Sequence, residues 1–138
     1  MKSKIMLVAT ALALLITTAA SAQTVKLKAN VPFNFIVNRA TLPAGEYWVE
    51  SMDGNGHVLA IRNSDLKVTN LVLSNSCRHL EAAKQSKLIF SRYGNRYFLK
   101  QIWVRGTDQG NELPASPRER EIAKDFSMQE VVLMAAQR

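Results

Sequence analysis

From Val25 to Val37 the chain alternates strictly. Val25, Leu27, Ala29, Val31, Phe33, Phe35 and Val37 occupy odd positions, with Lys26, Lys28, Asn30, Pro32, Asn34 and Ile36 between them. A period of two sends successive side chains to opposite faces of an extended ribbon, so one face of this segment is predicted to be buried. Pro32 offers no N–H to a ladder, and the ribbon is expected to bend, bulge or lie at an edge there. Leu42-Pro43-Ala44-Gly45 reads as a tight turn. Strands are predicted over Glu46 to Met52 and His57 to Arg62, joined at Asp53-Gly54-Asn55-Gly56, whose residues accept positive φ. Asn63-Ser64-Asp65 turns again, and Lys67 to Ser74 forms a further strand.

The second half carries a sharper signal. Lys87 to Tyr93 and Arg96 to Val104 form a predicted hairpin around Gly94-Asn95, and a two-residue loop fixes its register. That register sets Tyr93 against Arg96, Arg92 against Tyr97, Phe90 against Leu99 and Leu88 against Gln101. One face then gathers Leu88, Phe90, Tyr97, Leu99 and Trp103 as core. The other holds Ile89, Tyr93, Phe98 and Ile102 among Lys87, Ser91, Arg96 and Lys100, and needs a cover. Ser116-Pro117-Arg118-Glu119 is a helix start: Ser caps, Pro takes the first helical position and Glu completes a capping box. The helix is expected to reach about Asp125, presenting Ile122 and Phe126 to the sheet. A short helix is also expected around Leu80 to Lys84. Glu130 to Ala136 lacks a clear period and reads as a buried closing strand, with continuation of the helix as the alternative. About seven or eight short strands with one late helix define a mainly β chain, an antiparallel β-sandwich or small barrel. A transmembrane barrel is disfavoured, because eight strands of about ten residues would leave the helix no place.

The N-terminus changes where this fold is expected to work. Lys2 and Lys4 precede an uncharged run from Ile5 to Ala20, and Ala20-Ser21-Ala22 supplies the small-x-small pattern of a signal-peptidase site. The run is shorter than the roughly 20 residues a membrane-spanning helix requires. Residues 1–22 are therefore read as a cleaved signal peptide and residues 23–138 as one β-rich domain, periplasmic or extracellular, with no transmembrane span after cleavage. Cys77 is the only cysteine, so no intramolecular disulfide can form and the fold must stand on packing. The formal charge of +7, less the two leader lysines, suits anionic surroundings such as envelope polymers or nucleic acid and is equally ordinary for a solubilised surface; an anionic envelope polymer or glycan is the expected partner, ahead of nucleic acid.

At Val31-Pro32-Phe33-Asn34-Phe35, Leu42 to Tyr47, Arg92 to Leu99 and Glu112 to Arg120 the chain resembles a group of small secreted bacterial proteins. Their recurring parts read VPFxF, LPAGEY, RYGxxYFL and ELPxSxxER. The resemblance spans most of residues 23–138 and implies a shared fold and export; it carries over no catalytic or binding residue.

Motifs for chemistry are sparse. There is no nucleophile elbow, phosphate loop, dinucleotide fingerprint or His-Glu-x-x-His, and no cofactor is implied. Cys77-Arg78-His79 sets a thiol two residues from an imidazole but has no second ligand cluster. Asp108 to Glu112 groups oxygen side chains around a glycine without calcium-loop spacing. Any two of eleven carboxylates could meet in space, which keeps a small carboxylate-dependent hydrolase as the alternative to a non-enzymatic binding or structural domain. The best binding candidate is the hairpin, where Arg92, Arg96, Lys100, Trp103 and Arg105 interleave with Tyr93 and Tyr97. The plainer reading of the same residues puts Tyr97 and Trp103 in the core and leaves the cations solvated.

Overall fold

A computed structural model describes residues 25–64 and 69–137. The expected signal peptide, the turn at Asp65 and the strand start at Lys67 lie outside them. The elements in chain order are β1 (Lys26–Val31), β2 (Phe35–Val37), β3 (Ala40–Leu42), β4 (Gly45–Ser51), β5 (Val58–Asn63), β6 (Thr69–Leu73), β7 (Asn75–Arg78), β8 (Lys87–Tyr93), β9 (Arg96–Trp103), β10 (Gln109–Glu112), helix α1 (Pro117–Ala123), β11 (Met128–Met134) and β12 (Ala136–Gln137). They build two sheets and no closed barrel. The first runs β12-β1-β4-β5-β6. The second runs β11-β8-β9-β10-β7, with the β2–β3 hairpin attached to β9 through one parallel bridge, Ile36 to Phe98.

The alternation at the N-terminus is fully used. Leu27, Val31, Phe35 and Val37 are all but inaccessible, yet β1 and β2 belong to different sheets. Pro32-Phe33-Asn34 is where the chain changes sheet, the bend that a residue without an N–H permits. The chain changes sheet again at Ser74, between β6 and β7, and at Ala135, between β11 and β12. Such corners are how strands of stacked sheets are joined without a long crossover.

One cluster fills the space between the sheets, drawing Leu27, Val49 and Ile61 from the first and Leu88, Phe90 and Ile102 from the second. Fully burying one such side chain contributes about 1.5–3 kcal/mol, and with no disulfide this core holds the fold. Its aromatic centre joins three of the segments singled out in the sequence, Val31 to Phe35, Leu42 to Tyr47 and Arg92 to Leu99. Phe33 stacks on Tyr97 at 3.9 Å between ring centroids and meets Phe90 edge-on at 5.0 Å; Phe35 meets Tyr47 edge-on at 5.0 Å. The Tyr47 hydroxyl donates to the Pro43 carbonyl at 2.6 Å and the Ala44 N–H donates to Asn34 Oδ1 at 2.9 Å. These residues are therefore bound to one another and hold the core and its turn.

The β8–β9 turn follows the sequence expectation. Gly94 has φ +63°, as the first central residue of a type II′ turn requires, and Tyr93–Arg96, Arg92–Tyr97 and Phe90–Leu99 pair as expected. Beyond Phe90 the register slips. A bulge makes Ile89 face Gln101 and Leu88 face Ile102, so the expected Leu88–Gln101 pair does not form. One extra residue turns the rest of a strand over. Ile102 thus enters the main core, while Trp103, expected there, points out of the opposite face.

Three further expectations are corrected. Leu80 to Lys84 is not helical; the segment is tied instead to the β9–β10 loop through Ala83, which bonds Thr107 and Gly106. The closing segment is a strand, paired along β8 over its full length, but it is an edge strand with Met128, Val132 and Met134 exposed. Helix α1 begins where the capping box places it, with the Glu119 N–H donating to Ser116 Oγ at 3.2 Å, but ends at Ala123. Ile122 covers Ile36 and Phe98. Phe126 stays half-exposed, its ring over the Gly94 turn.

Candidate functional site

The five hairpin residues singled out in the sequence do not form one surface. Arg92 and Arg96 sit at the turn but on opposite faces. Arg92 lies over the Tyr97 ring at 5.2 Å and donates from Nε to the Gly94 carbonyl at 2.7 Å; Arg96 is exposed opposite Tyr93. Lys100 is half-buried beside the bulge. Trp103 and Arg105 lie toward the far end of β9, about 20 Å away at roughly 3.3 Å per residue. Trp103 is only 1% exposed. Its ring stacks on His79 at 4.1 Å and its Nε1–H donates to Gln101 Oε1 at 3.0 Å. An added Cβ on Gly110 would lie 2.7 Å from this ring, so glycine is what lets the indole lie flat on β10.

The Cys77 neighbourhood is structural in the same way. Cys77 pairs with Gly110 across β7 and β10 and is half-buried. Burial first, and the Glu112 carboxylate second, push its thiol above the ordinary range, the reverse of what an activated nucleophile needs. His79 faces the indole. Among the described residues, no three of His, Cys, Asp and Glu converge as metal ligands would.

A better-formed site lies at one end of the sandwich, which sequence reasoning missed. A cleft of about 370 Å³ opens between the β4–β5 turn, β7 and the β9–β10 loop, lined by Asn55, Ser76, Thr107, Asp108, Gln109 and Asn111 together with Gly56, Gly106 and Gly110. Its floor is rigid. Asn111 Nδ2 donates to the Gly56 carbonyl at 2.7 Å and to Ser74 Oγ at 3.1 Å, and the Ser74 hydroxyl donates to the same carbonyl at 2.6 Å. Gly56 can serve because its φ is +74° and a side chain there would press on Asn111. The loop wall is fastened by Thr107, whose hydroxyl lies 2.9 Å from the carbonyls of both Val104 and Gln109. Asn55, Ser76 and Gln109 are exposed and free to meet a ligand. The turn formers Asp53 to Gly56 were visible in the sequence as a connection, and Asp108 to Glu112 as a group of oxygen side chains around a glycine, though Gln109–Glu112 is strand β10. Only the folded chain brings the two together with Ser76.

Among the described residues, two other hollows stand out. A broad, open groove of about 700 Å³ lies along His79 to Lys87 and Met134. A narrow slot of about 180 Å³ lies between α1 and the end of β6. Each of the three contains a single carboxylate: Asp108, Glu81 and Glu119 respectively. Among the described residues no helix is long and apolar enough to cross a membrane. No protein-family model matches the chain, and no curated protein or solved structure matches it significantly.

Proposed function

We propose that this chain is an exported, non-enzymatic β-domain of the periplasm or extracellular space that binds a neutral, hydroxylated ligand, a glycan, in the end cleft. The observation that carries the reading is the chemistry of the lining. Side-chain amides and hydroxyls from the β4–β5 turn, β7, the β9–β10 loop and β10 converge on a concave surface with a fixed floor, and among the described residues no Lys or Arg lines it. Amides both donate and accept, which suits sugar hydroxyls. The lone Asp108 disfavours a polyanion there, so the basic charge of the chain acts elsewhere on the surface. A single carboxylate per cleft also weighs against hydrolysis by a carboxylate pair, which needs two such groups flanking one bond. Export rests on the signal-peptide pattern of residues 1–22.

A glycan array probed with residues 23–138 tests the binding. Neutral oligosaccharides are expected to rank first. Asn55→Ala with Gln109→Ala, both at exposed positions, is expected to weaken binding about tenfold or more, since each hydrogen bond contributes about 0.5–1.5 kcal/mol net. Retention confined to sulfated or phosphorylated polymers, indifferent to that double change, would contradict the proposal.

A further inference from the structure

The slot beside α1 carries a different chemistry. Its walls are mainly apolar, from Ile36, Val72, Phe98, Leu99, Leu113 and Pro114, with Asn38 and Ser116 as polar members, and Leu73 forms a lip that is 72% exposed. Glu119 also lines it, and that residue is only 4% exposed. The carboxylate is poorly served by its own chain. Oε1 accepts from the Tyr93 hydroxyl at 3.4 Å, a long contact. The ion pairs among the described residues join Lys28 to Glu46, His57 to Asp53 and Lys124 to Glu121, and none reaches Glu119. The neighbouring Arg120 is turned away, donating to the Ala115 carbonyl at 3.0 Å. A carboxylate taken out of water is strongly disfavoured until a cation or several donors reach it. Burial, and after it this carboxylate, raise the Tyr93 hydroxyl above its ordinary pKa, so the phenol stays a neutral donor.

We infer that the slot is a receptor for one long cationic side chain, an ammonium head on an aliphatic stem, as a lysine of a peptide segment would present. The stem lies along the apolar walls and the exposed Leu73, and the ammonium reaches Glu119. An anion is repelled by that carboxylate. A neutral apolar guest fills the walls but adds no donor to the long contact from Tyr93. The pairing of an apolar channel with one buried, cation-free carboxylate therefore selects for charge and length together. The site is separate from the end cleft and does not depend on the glycan reading.

The test is a titration of the folded protein followed by amide NMR at Ile36, Leu99, Leu113 and Glu119, with n-butylammonium, n-butanol and a doubly blocked lysine as probes. Saturable shifts are expected with n-butylammonium, and n-butanol is expected to bind at least about tenfold more weakly. Glu119→Gln keeps the length and shape of the cap and is expected to abolish the preference for the cation. If that variant proves unstable, the ammonium–alcohol comparison on the unaltered protein decides the matter. Tighter binding of the blocked lysine than of the free amine supports a peptide partner; the reverse supports the same slot serving a free amine. Equal binding of alcohol and ammonium, shifts confined to other regions, or an undiminished preference in a folded Glu119→Gln protein would overturn the inference.

Discussion

The two faces of the second sheet are built on different terms. The inner face packs against the other sheet, and Leu88, Phe90, Leu99 and Ile102 sit in one continuous core. The outer face has no facing sheet and is covered piecemeal. Ile122 of α1 shields Ile36 and Phe98, His79 stacks on Trp103, and along β11 Met128, Val132 and Met134 stay about half-exposed among the described residues. Long-range packing thus sets the inner face, whereas each outer contact depends on one local segment. The inner face should accordingly be intolerant of change and the outer face graded.

The largest effect is expected at Phe90, which touches Phe33 and Phe35 edge-on and is fully buried. Phe90→Ala should cost about 3–5 kcal/mol in denaturant unfolding, enough to unfold a chain of ordinary marginal stability. Next comes Gly110→Ala, because the new methyl would lie 2.7 Å from the Trp103 ring and the buried indole has little room to yield. A loss of about 1–3 kcal/mol is expected, with a change in tryptophan fluorescence; an unchanged protein would mean that the indole is loosely held. Ile122→Ala removes the helix's one buried apolar anchor and should cost about 2 kcal/mol, near the lower end for such truncations because the cluster is small. Val132→Ser, on the half-exposed strand, should stay within about 0.5 kcal/mol. A large loss there would show that the outer face of β11 is covered in solution, and would erase the contrast between the faces.

What the sequence revealed follows the same division. Strict alternation in β1 and β2 and the Gly94 turn made the inner face legible, since both depend on residue type and local geometry alone. The bulge after Phe90 was not legible. No glycine or proline marks it, and it arises where β9 hands its edge from the β2 bridge at Phe98 to β10 at Gln101. That slip misassigned Ile102 and Trp103, exchanging which of them enters the main core. Leu80 to Lys84 has helical composition, but backbone bonds from Ala83 to Gly106 and Thr107 outweigh a propensity of tenths of a kcal/mol per residue. The end cleft was invisible for the same reason, since its residues come from the β4–β5 turn, from β7 and from the β9–β10 loop with β10, which lie far apart in the chain. The buried Glu119 was read as the far half of a capping box; its N–H does donate to the Ser116 cap, but its carboxylate meets Tyr93 instead, and its place in a slot appears only with β6 beside it.

The most direct test of the functional reading is amide chemical-shift mapping of residues 23–138 with the neutral oligosaccharide that ranks first on the array. The end cleft predicts saturable shifts at Asn55, Ser76, Thr107 and Gln109, with the Arg92–Arg96 turn unmoved. Shifts gathered at Arg92, Tyr93 and Arg96, with the cleft silent, would contradict it and return the binding surface to the hairpin.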